Sequence, residues 1–338
     1  MDKPSEGVTG VCGIDISAQT LAVAVQRAGA SPWVLGEVAN TAAGHQQLLA
    51  QLQGMGGRVR VVMEASGVYG LDLAVRLAAT PGIELAVLNP KTARRFAESL
   101  GERSKTDPVD ARVLGEYAAR MPFTPWQAPR TVVLELRAIT RRIASLKVQH
   151  GQESNRLHAQ ESSEQLPACV RRELRSSLRR VERAVQKLTR AALALVAHDP
   201  PLAAALALLQ SAPGVGETSA LQILGEVSAL PSQLGVKQWV AHCGLDVRQH
   251  LSGSSVHRPA RISKAGNRRL RRALFMPALV AVRHDPHLRA FYLQLLRRGK
   301  AKLQALVAVM RKLLHAFYGM LRLHQPYCGA RLHPALIL

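Results

Sequence analysis

Two groups of residues in this 338-residue chain could do chemistry, and the first is acidic. Asp15 closes an apolar run, Val8 to Asp15, with Gly13 before it and a polar turn after it. Glu64 follows a second apolar run, Val59 to Met63, and leads into Ala65-Ser66-Gly67. Asp107 and Asp110 stand three residues apart at the start of a helical segment, so their carboxylates share one face. Taken singly, each is an ordinary strand-end or turn carboxylate, and Asp107 before Pro108 suits a helix N-cap. Taken together they suggest more. If the first and fourth strands of a sheet are neighbours, both strand ends can approach the N-terminus of the last helix. Four carboxylates converging there repel one another unless divalent cations bind between them. Mg²⁺ suits such all-oxygen ligands and keeps waters that phosphate oxygens can replace.

The second group is a run of serines ahead of a cationic stretch. Leu251-Ser252-Gly253-Ser254-Ser255 precedes Arg258, Arg261, Lys264, Arg268, Arg269, Arg271 and Arg272. A serine hydroxyl is a weak nucleophile and needs a base, or cations that stabilise charge developing on a phosphoryl group. The guanidinium groups meet the second need, and Gly253 lets the backbone come close to a phosphate. The simpler reading is a Ser/Gly loop that binds phosphate ahead of a basic helix. On chemistry alone Ser252, Ser254 and Ser255 are equivalent.

These cations belong to a wider asymmetry. From Val247 to the C-terminus Asp285 is the only acidic residue, against 18 Lys plus Arg. The whole chain carries 45 basic and 23 acidic side chains, a formal charge of +22. Such a surplus attracts polyanions, nucleic acid first among them. A membrane surface is the weaker alternative, since no apolar stretch reaches the ~18 residues that a span requires. The start, Met-Asp-Lys-Pro-Ser-Glu, lacks the form of a signal peptide. Cys12, Cys169, Cys243 and Cys328 lie far apart with no CxxC pair, which predicts reduced thiols and a cytoplasmic protein.

The elements that must position these groups can be read from periodicity. Residues 8 to 120 form an α/β unit with strands at Val8–Asp15, Leu21–Gln26 and Trp33–Val38. A helix at Gly44–Gln53, a strand at Val59–Met63 and a helix at Leu71–Ala79 follow. Then come a strand at Ile83–Leu88 and helices at Thr92–Leu100 and Asp107–Ala119. Three strands followed by alternating helix and strand is the order of a ribonuclease-H-like fold. A dinucleotide-binding fold would start βαβ with a Gly-rich turn, where this chain has Gly-Ile-Asp-Ile-Ser. Pro122, Pro125 and Pro129 mark a boundary. Beyond it Val132, Leu136, Ile139, Ile143 and Leu146 keep a 4-3 rhythm, as do Leu174, Leu178, Val181, Val185, Leu188, Ala192 and Leu195. That period predicts a coiled coil or helical hairpin, with a pair of ordinary core helices as the alternative. Residues 205 to 325 form a last, mainly helical unit. In it Pro213-Gly214-Val215-Gly216 reads either as a helix-hairpin-helix turn offering N–H groups to phosphate, or as a plain inter-helix turn.

Several of these segments together resemble one family. Gly-Ile-Asp-Ile-Ser, Met-Glu-Ala-Ser-Gly-Val-Tyr, Leu-Asn-Pro and Lys-Thr-Asp-Pro-Val-Asp-Ala-Arg are similar to the N-terminal half of the DEDD-type serine transposases of bacterial insertion sequences. Ala-Pro-Gly-Val-Gly, Ser-Gly-Ser-Ser-Val and Ser-Lys-Ala-Gly-Asn-Arg-Arg-Leu-Arg-Arg-Ala-Leu resemble their C-terminal domain. The likeness runs in order from about residue 10 to residue 325. It implies a RuvC-like domain over 8–125 whose Mg²⁺ ligands fall on Asp15, Glu64, Asp107 and Asp110. It also implies a coiled-coil connector over 130–198 and a serine transposase domain over 203–325 with Ser252 as nucleophile. The resemblance further implies a bridge RNA that pairs with donor and target DNA. Active sites would be composite between subunits of a homo-oligomer, a tetramer in synapsis.

The function expected is therefore an RNA-guided DNA recombinase that cuts and rejoins DNA through a phosphoserine. Two other readings compete with it. In a RuvC-like metal-dependent junction nuclease, water would cut and Ser252 would only contact phosphate. In a non-catalytic nucleic-acid-binding protein, neither Ser252 nor metal would matter.

Overall fold

The computed structural model describes residues 7–30, 33–65, 67–162, 165, 167–252 and 256–333. The chain divides into two compact units, Met1–Ala128 and Pro129–Leu338.

The first unit is a mixed five-stranded sheet with helices on both faces. Its strands are β1 (Val8–Ile16), β2 (Thr20–Arg27), β3 (Val34–Ala39), β4 (Arg58–Glu64) and β5 (Ile83–Leu88), in the order β3-β2-β1-β4-β5. β1, β2 and β3 pair antiparallel as two hairpins, and β1 pairs parallel with β4, as β4 does with β5. The first and fourth strands are thus neighbours, as the sequence order suggested. Side-chain alternation decides what each face holds. Cys12, Ile14 and Ile16 of β1 and Val59, Val61 and Met63 of β4 bury against Leu48 and Leu52 of α1 (Ala42–Gln53) and Leu73 and Leu77 of α2 (Leu71–Ala79). Val11 and Val62 face the other way, onto Ala93 of α3 (Pro90–Ser99) and Leu114 and Ala118 of α4 (Asp107–Arg120).

α4 lies directly on β1. A Cβ at Gly13 would lie 1.9 Å from the Ala111 carbonyl oxygen and 2.2 Å from the Gly115 nitrogen. Gly115 in turn leaves room for the Trp33 ring, whose Nε1 donates to Glu116 Oε1 at 3.1 Å. Two glycines therefore let a helix backbone rest on a strand backbone.

The second unit is mainly helical. α5 (Thr131–Glu161) and α6 (Ala168–Ala197) pack as a long hairpin. On α5 the buried positions are Val133, Leu136, Thr140, Ile143 and Leu146, so the seam is rotated from the predicted one at Val133 and Thr140. The cause is a second partner. Α helix α8 (Glu217–Val227) lies on the same flank, where Gly225 would place a Cβ 2.6 Å from Thr140 Oγ1. α7 (Pro200–Gln210), α9 (Val236–Cys243), α10 (Arg268–Ala273), α11 (Phe275–His284), α12 (Pro286–Arg297) and α13 (Lys302–Leu323) complete the core. The α7–α8 turn holds Gly214 at φ +80, and a Cβ there would meet Val280 and the Pro277 carbonyl of α11. Packing accounts for that glycine, which favours the plain-turn reading.

One element was not foreseen. β6 (Val247–Ser252) and β7 (Val256–Ile262) form an antiparallel ribbon where a loop before a basic helix was expected. All four cysteines are free thiols. No single helix among the described residues is long and apolar enough to cross a membrane.

The Gly13 contact predicts that Gly13→Ala loses about 1–3 kcal/mol of stability or more, since backbone rather than a flexible side chain stands in the way. Urea unfolding checks this, with Gly36→Ala, where nothing stands within 4 Å, as a mild control.

Candidate active site

The four acids come from three elements, the carboxyl ends of β1 and β4 and the first turn of α4. Asp15 lies on β1 and Glu64 ends β4, both on the face that α4 covers. Asp107 and Asp110 lie in the first turn of α4. The expected N-cap role of Asp107 is not seen. Thr106 is the capping position, without a side-chain cap bond, and Asp107 is the first helical residue. Its carboxylate is not committed to a cap.

Electrostatics tie the group together. Burial first, then the Asp110 and Asp107 carboxylates, raise the Asp15 pKa above the usual range, against smaller pulls from the Ile16 backbone and Lys105. Glu64 is raised by burial and by Asp15 and Asp110, again opposed by Lys105. Asp110 is raised mainly by burial and further by Asp107, with Lys105 opposing. Three half-buried carboxylates thus share one repulsive field. Lys105 is a member of this group that spacing did not single out, although it stands two residues before Asp107.

Whether these residues suit a divalent cation rests on their chemistry. They offer only hard oxygen donors, and their mutual repulsion is what such an ion would relieve. They are not a finished cage. Among the described residues no three His, Cys, Asp or Glu side chains stand ready to hold a metal. Side-chain movement, water or phosphate oxygens would have to complete the shell.

In the second unit Ser252 is the last residue of β6, its backbone paired with Val256. Ser254 and Ser255, with Gly253, lie outside the described residues. Arg258 and Arg261 belong to β7, not to a helix. Lys264 has φ 52 in the turn that follows. Arg268, Arg269 and Arg272 are exposed on α10, whereas Arg271 Nη1 donates to the Cys243 carbonyl at 2.7 Å and is held by the fold.

The root of this ribbon is clamped by a buried ion that sequence reading missed. Glu226 on α8 is 4% exposed. It accepts from Arg141 Nε at 2.7 Å and Nη2 at 2.9 Å, and from Asn267 Nδ2 at 2.7 Å. Burial opposes its charge, but these bonds and Arg137 outweigh it and hold its pKa below the usual range. Asn267 Oδ1 meanwhile caps α10 through the Arg269 and Leu270 nitrogens. A glutamate inside the apolar run Leu224-Gly225-Glu226-Val227 was the available signal.

Comparison with known proteins supplies the context. A transposase profile of the DEDD, IS110 type matches residues 12–160, and a second profile, transposase IS116/IS110/IS902 family, matches residues 206–293. A pilin gene-inverting protein of Moraxella bovis is 30% identical over 276 residues, 81% of this chain and 83% of its own length. The chain belongs to the IS110 family of transposases. The Moraxella lacunata pilin gene-inverting protein matches over the same extent. An IS110 insertion-element protein of Streptomyces coelicolor is 33% identical over 115 residues, 34% of this chain and 28% of its own length. As an IS110-family member the protein is an enzyme, a DNA transposase or recombinase.

The raised carboxylates predict a pH response. Groups that hold protons more tightly folded than unfolded cost stability as pH rises, from about 4 through their raised values. In chelator, Asp15→Asn should therefore melt a few degrees higher than wild type at neutral pH and show a flatter fall from pH 4 to 7. Calorimetric melting temperatures across that range check it, and an unchanged or lower melting temperature would refute the view that burial and neighbouring carboxylates make the Asp15 charge costly.

Proposed function

We propose that this transposase is an RNA-guided DNA recombinase that cuts and rejoins DNA through a phosphoserine at Ser252. The observation that carries the reading is the grouping of Asp15, Glu64, Asp107 and Asp110, in which Asp110 and Asp107 raise Asp15, Asp15 and Asp110 raise Glu64, and Asp107 raises Asp110. The strand order β3-β2-β1-β4-β5 supports a ribonuclease-H-like, RuvC-like domain around them. In that reading the four carboxylates hold Mg²⁺, which when bound would polarise a phosphoryl oxygen.

The protein's own groups do the rest. The Ser252 hydroxyl attacks a DNA phosphorus. A serine–phosphate bond forms, the bond to a deoxyribose oxygen breaks, and that oxygen leaves as a hydroxyl after taking up a proton. Attack by a second DNA hydroxyl reverses the step and frees Ser252. One phosphodiester is exchanged for another, so rejoining needs no ATP. Arg258, Arg261, Lys264, Arg268, Arg269 and Arg272 neutralise backbone phosphates without reading sequence. A bridge RNA pairing with donor and target DNA would choose the site. The enzyme would act as a homo-oligomer, tetrameric in synapsis, with the α5–α6 hairpin as its assembly element. The gene-inverting activity named for the Moraxella relatives is compatible with such a reaction.

Denaturing electrophoresis of guide-loaded enzyme on labelled DNA, followed by peptide mapping, tests the mechanism. Wild type should give a protein–DNA adduct at Ser252, and Ser252→Ala should lose adduct and cleavage by at least 1,000-fold. Ser254→Ala and Ser255→Ala should keep part of the activity. Cleavage by Ser252→Ala without any adduct would instead support the metal-dependent nuclease.

A further inference from the structure

The carboxyl edge of the sheet carries a second feature on its other face. Where Asp15 and Glu64 face α4, the opposite side of the same edge opens into a cavity of ≈ 280 Å³. Ala18, Asn40, His45, Tyr69, Asp72 and Arg76 line it. Ala18 lies in the turn that leaves Asp15, and Tyr69 in the segment that leaves Glu64. Both walls of the cavity are therefore direct continuations of the strands that carry the acids.

The floor is rigid. Asn40 Nδ2 donates to the Ser17 carbonyl at 2.8 Å and to the Tyr69 carbonyl at 3.1 Å, tying the two walls together. Its Oδ1 pairs with Nε2 of buried His45 at 2.8 Å. The rim is uncommitted. Asp72 and Arg76, one turn apart on α2, are exposed and have no side-chain hydrogen bond or ion pair among the described residues, though both act electrostatically on His45. Tyr69 is 55% exposed and its neighbour Val68 75%. An exposed ring beside an exposed valine is suited to stacking.

We propose that this cavity takes one unstacked nucleotide of the DNA strand being cut, its base against Tyr69, its polar edge toward Asp72 and its phosphate toward Arg76. A strand with one phosphate at the acids passes over the sheet edge and delivers its next nucleotide to the other face. A base edge carries both donors and acceptors, which suits an exposed carboxylate beside an exposed guanidinium. A lone phosphate does not suit Asp72, and an apolar ligand does not suit either group. This assignment rests on the reading of Asp15 and Glu64 as the place where DNA is cut, but not on Ser252, metal or a guide.

The test uses the full chain in chelator, without RNA, and a short single-stranded oligodeoxynucleotide carrying one 5-iodouracil. Irradiation and peptide mapping report where the base lies. The adduct should fall on the peptide holding Val68 and Tyr69, in wild type and equally in Ser252→Ala. Tyr69→Phe should retain it. Arg76→Ala, which keeps the reactive ring, should reduce it about 5-fold, and Asp72→Ala likewise. Adducts confined to peptides beyond Val247, or a yield at Tyr69 indifferent to Arg76→Ala and Asp72→Ala, would overturn the proposal. A matched oligoribonucleotide that marks Tyr69 when DNA does not would overturn it too, by giving the cavity to RNA. Because Ser252→Ala must behave as wild type, failure of the phosphoserine mechanism leaves this result readable by itself.

Discussion

The contact on which the acidic cluster of the first unit depends is the one between α4 and β1 at Gly13 and Gly115. It is a backbone-to-backbone contact, and its closeness fixes the height at which the first turn of α4 stands above the strand ends. Asp15 is two residues beyond Gly13 on the same face, and Asp110 is one residue before Ala111, whose carbonyl meets that glycine. The packing that buries Leu114 and Ala118 is thus the packing that crowds carboxylates together. Core and site are not separable here: the apolar contacts supply the free energy that holds like charges near one another.

The second unit answers the opposite problem. It carries excess positive charge, and its buried anion, Glu226, is surrounded by Arg141, Arg137 and Asn267. An unpaired buried carboxylate would be costly, whereas this one is fully engaged and joins α5, α8 and the cap of α10 in a single network. The ribbon ending in Ser252 returns to the core through that cap. Hydrogen bonds from Asn267 to Glu226 and to the first turn of α10 hold the point at which the chain leaving β7 rejoins the core.

Much of the first unit was legible in the sequence because its signals were local. Valine-rich runs, a helix ending at Gly54 and a Pro after Asp107 each act within a few residues, and the strands and helices lie within a residue or two of their expected ends. The neighbouring placement of β1 and β4 followed from strand order. Asp15, Glu64, Asp107 and Asp110 could be picked out by type and position, but Lys105 could not, since a lone lysine in a polar loop has no pattern. The cap expected at Asp107 shifted to Thr106 because Pro108 fits equally well one position further into the helix. In the second unit the α5 seam turned toward Thr140 because α8 competes with α6 for the same flank, a tertiary effect that periodicity cannot register. The β6–β7 ribbon escaped notice for a different reason. Its strands, Val-Arg-Gln-His-Leu-Ser and Val-His-Arg-Pro-Ala-Arg-Ile, alternate too poorly to show a buried face.

The α5–α6 hairpin has one further consequence. At about 1.5 Å per residue, the 31 residues of α5 make a rod roughly 46 Å long. Its fully buried positions stop at Leu146, so the final 15 residues lean only on the start of α6, where Leu174, Ser177 and Val181 are the buried side chains. The rod is therefore graded in firmness along its axis. Near α8 it is braced by the core and by the Arg141–Glu226 pair. Toward its tip each turn is held by little more than its own hydrogen bonds and one neighbour. Opening the last turns of α5 therefore breaks fewer packing contacts than opening the part braced by α8.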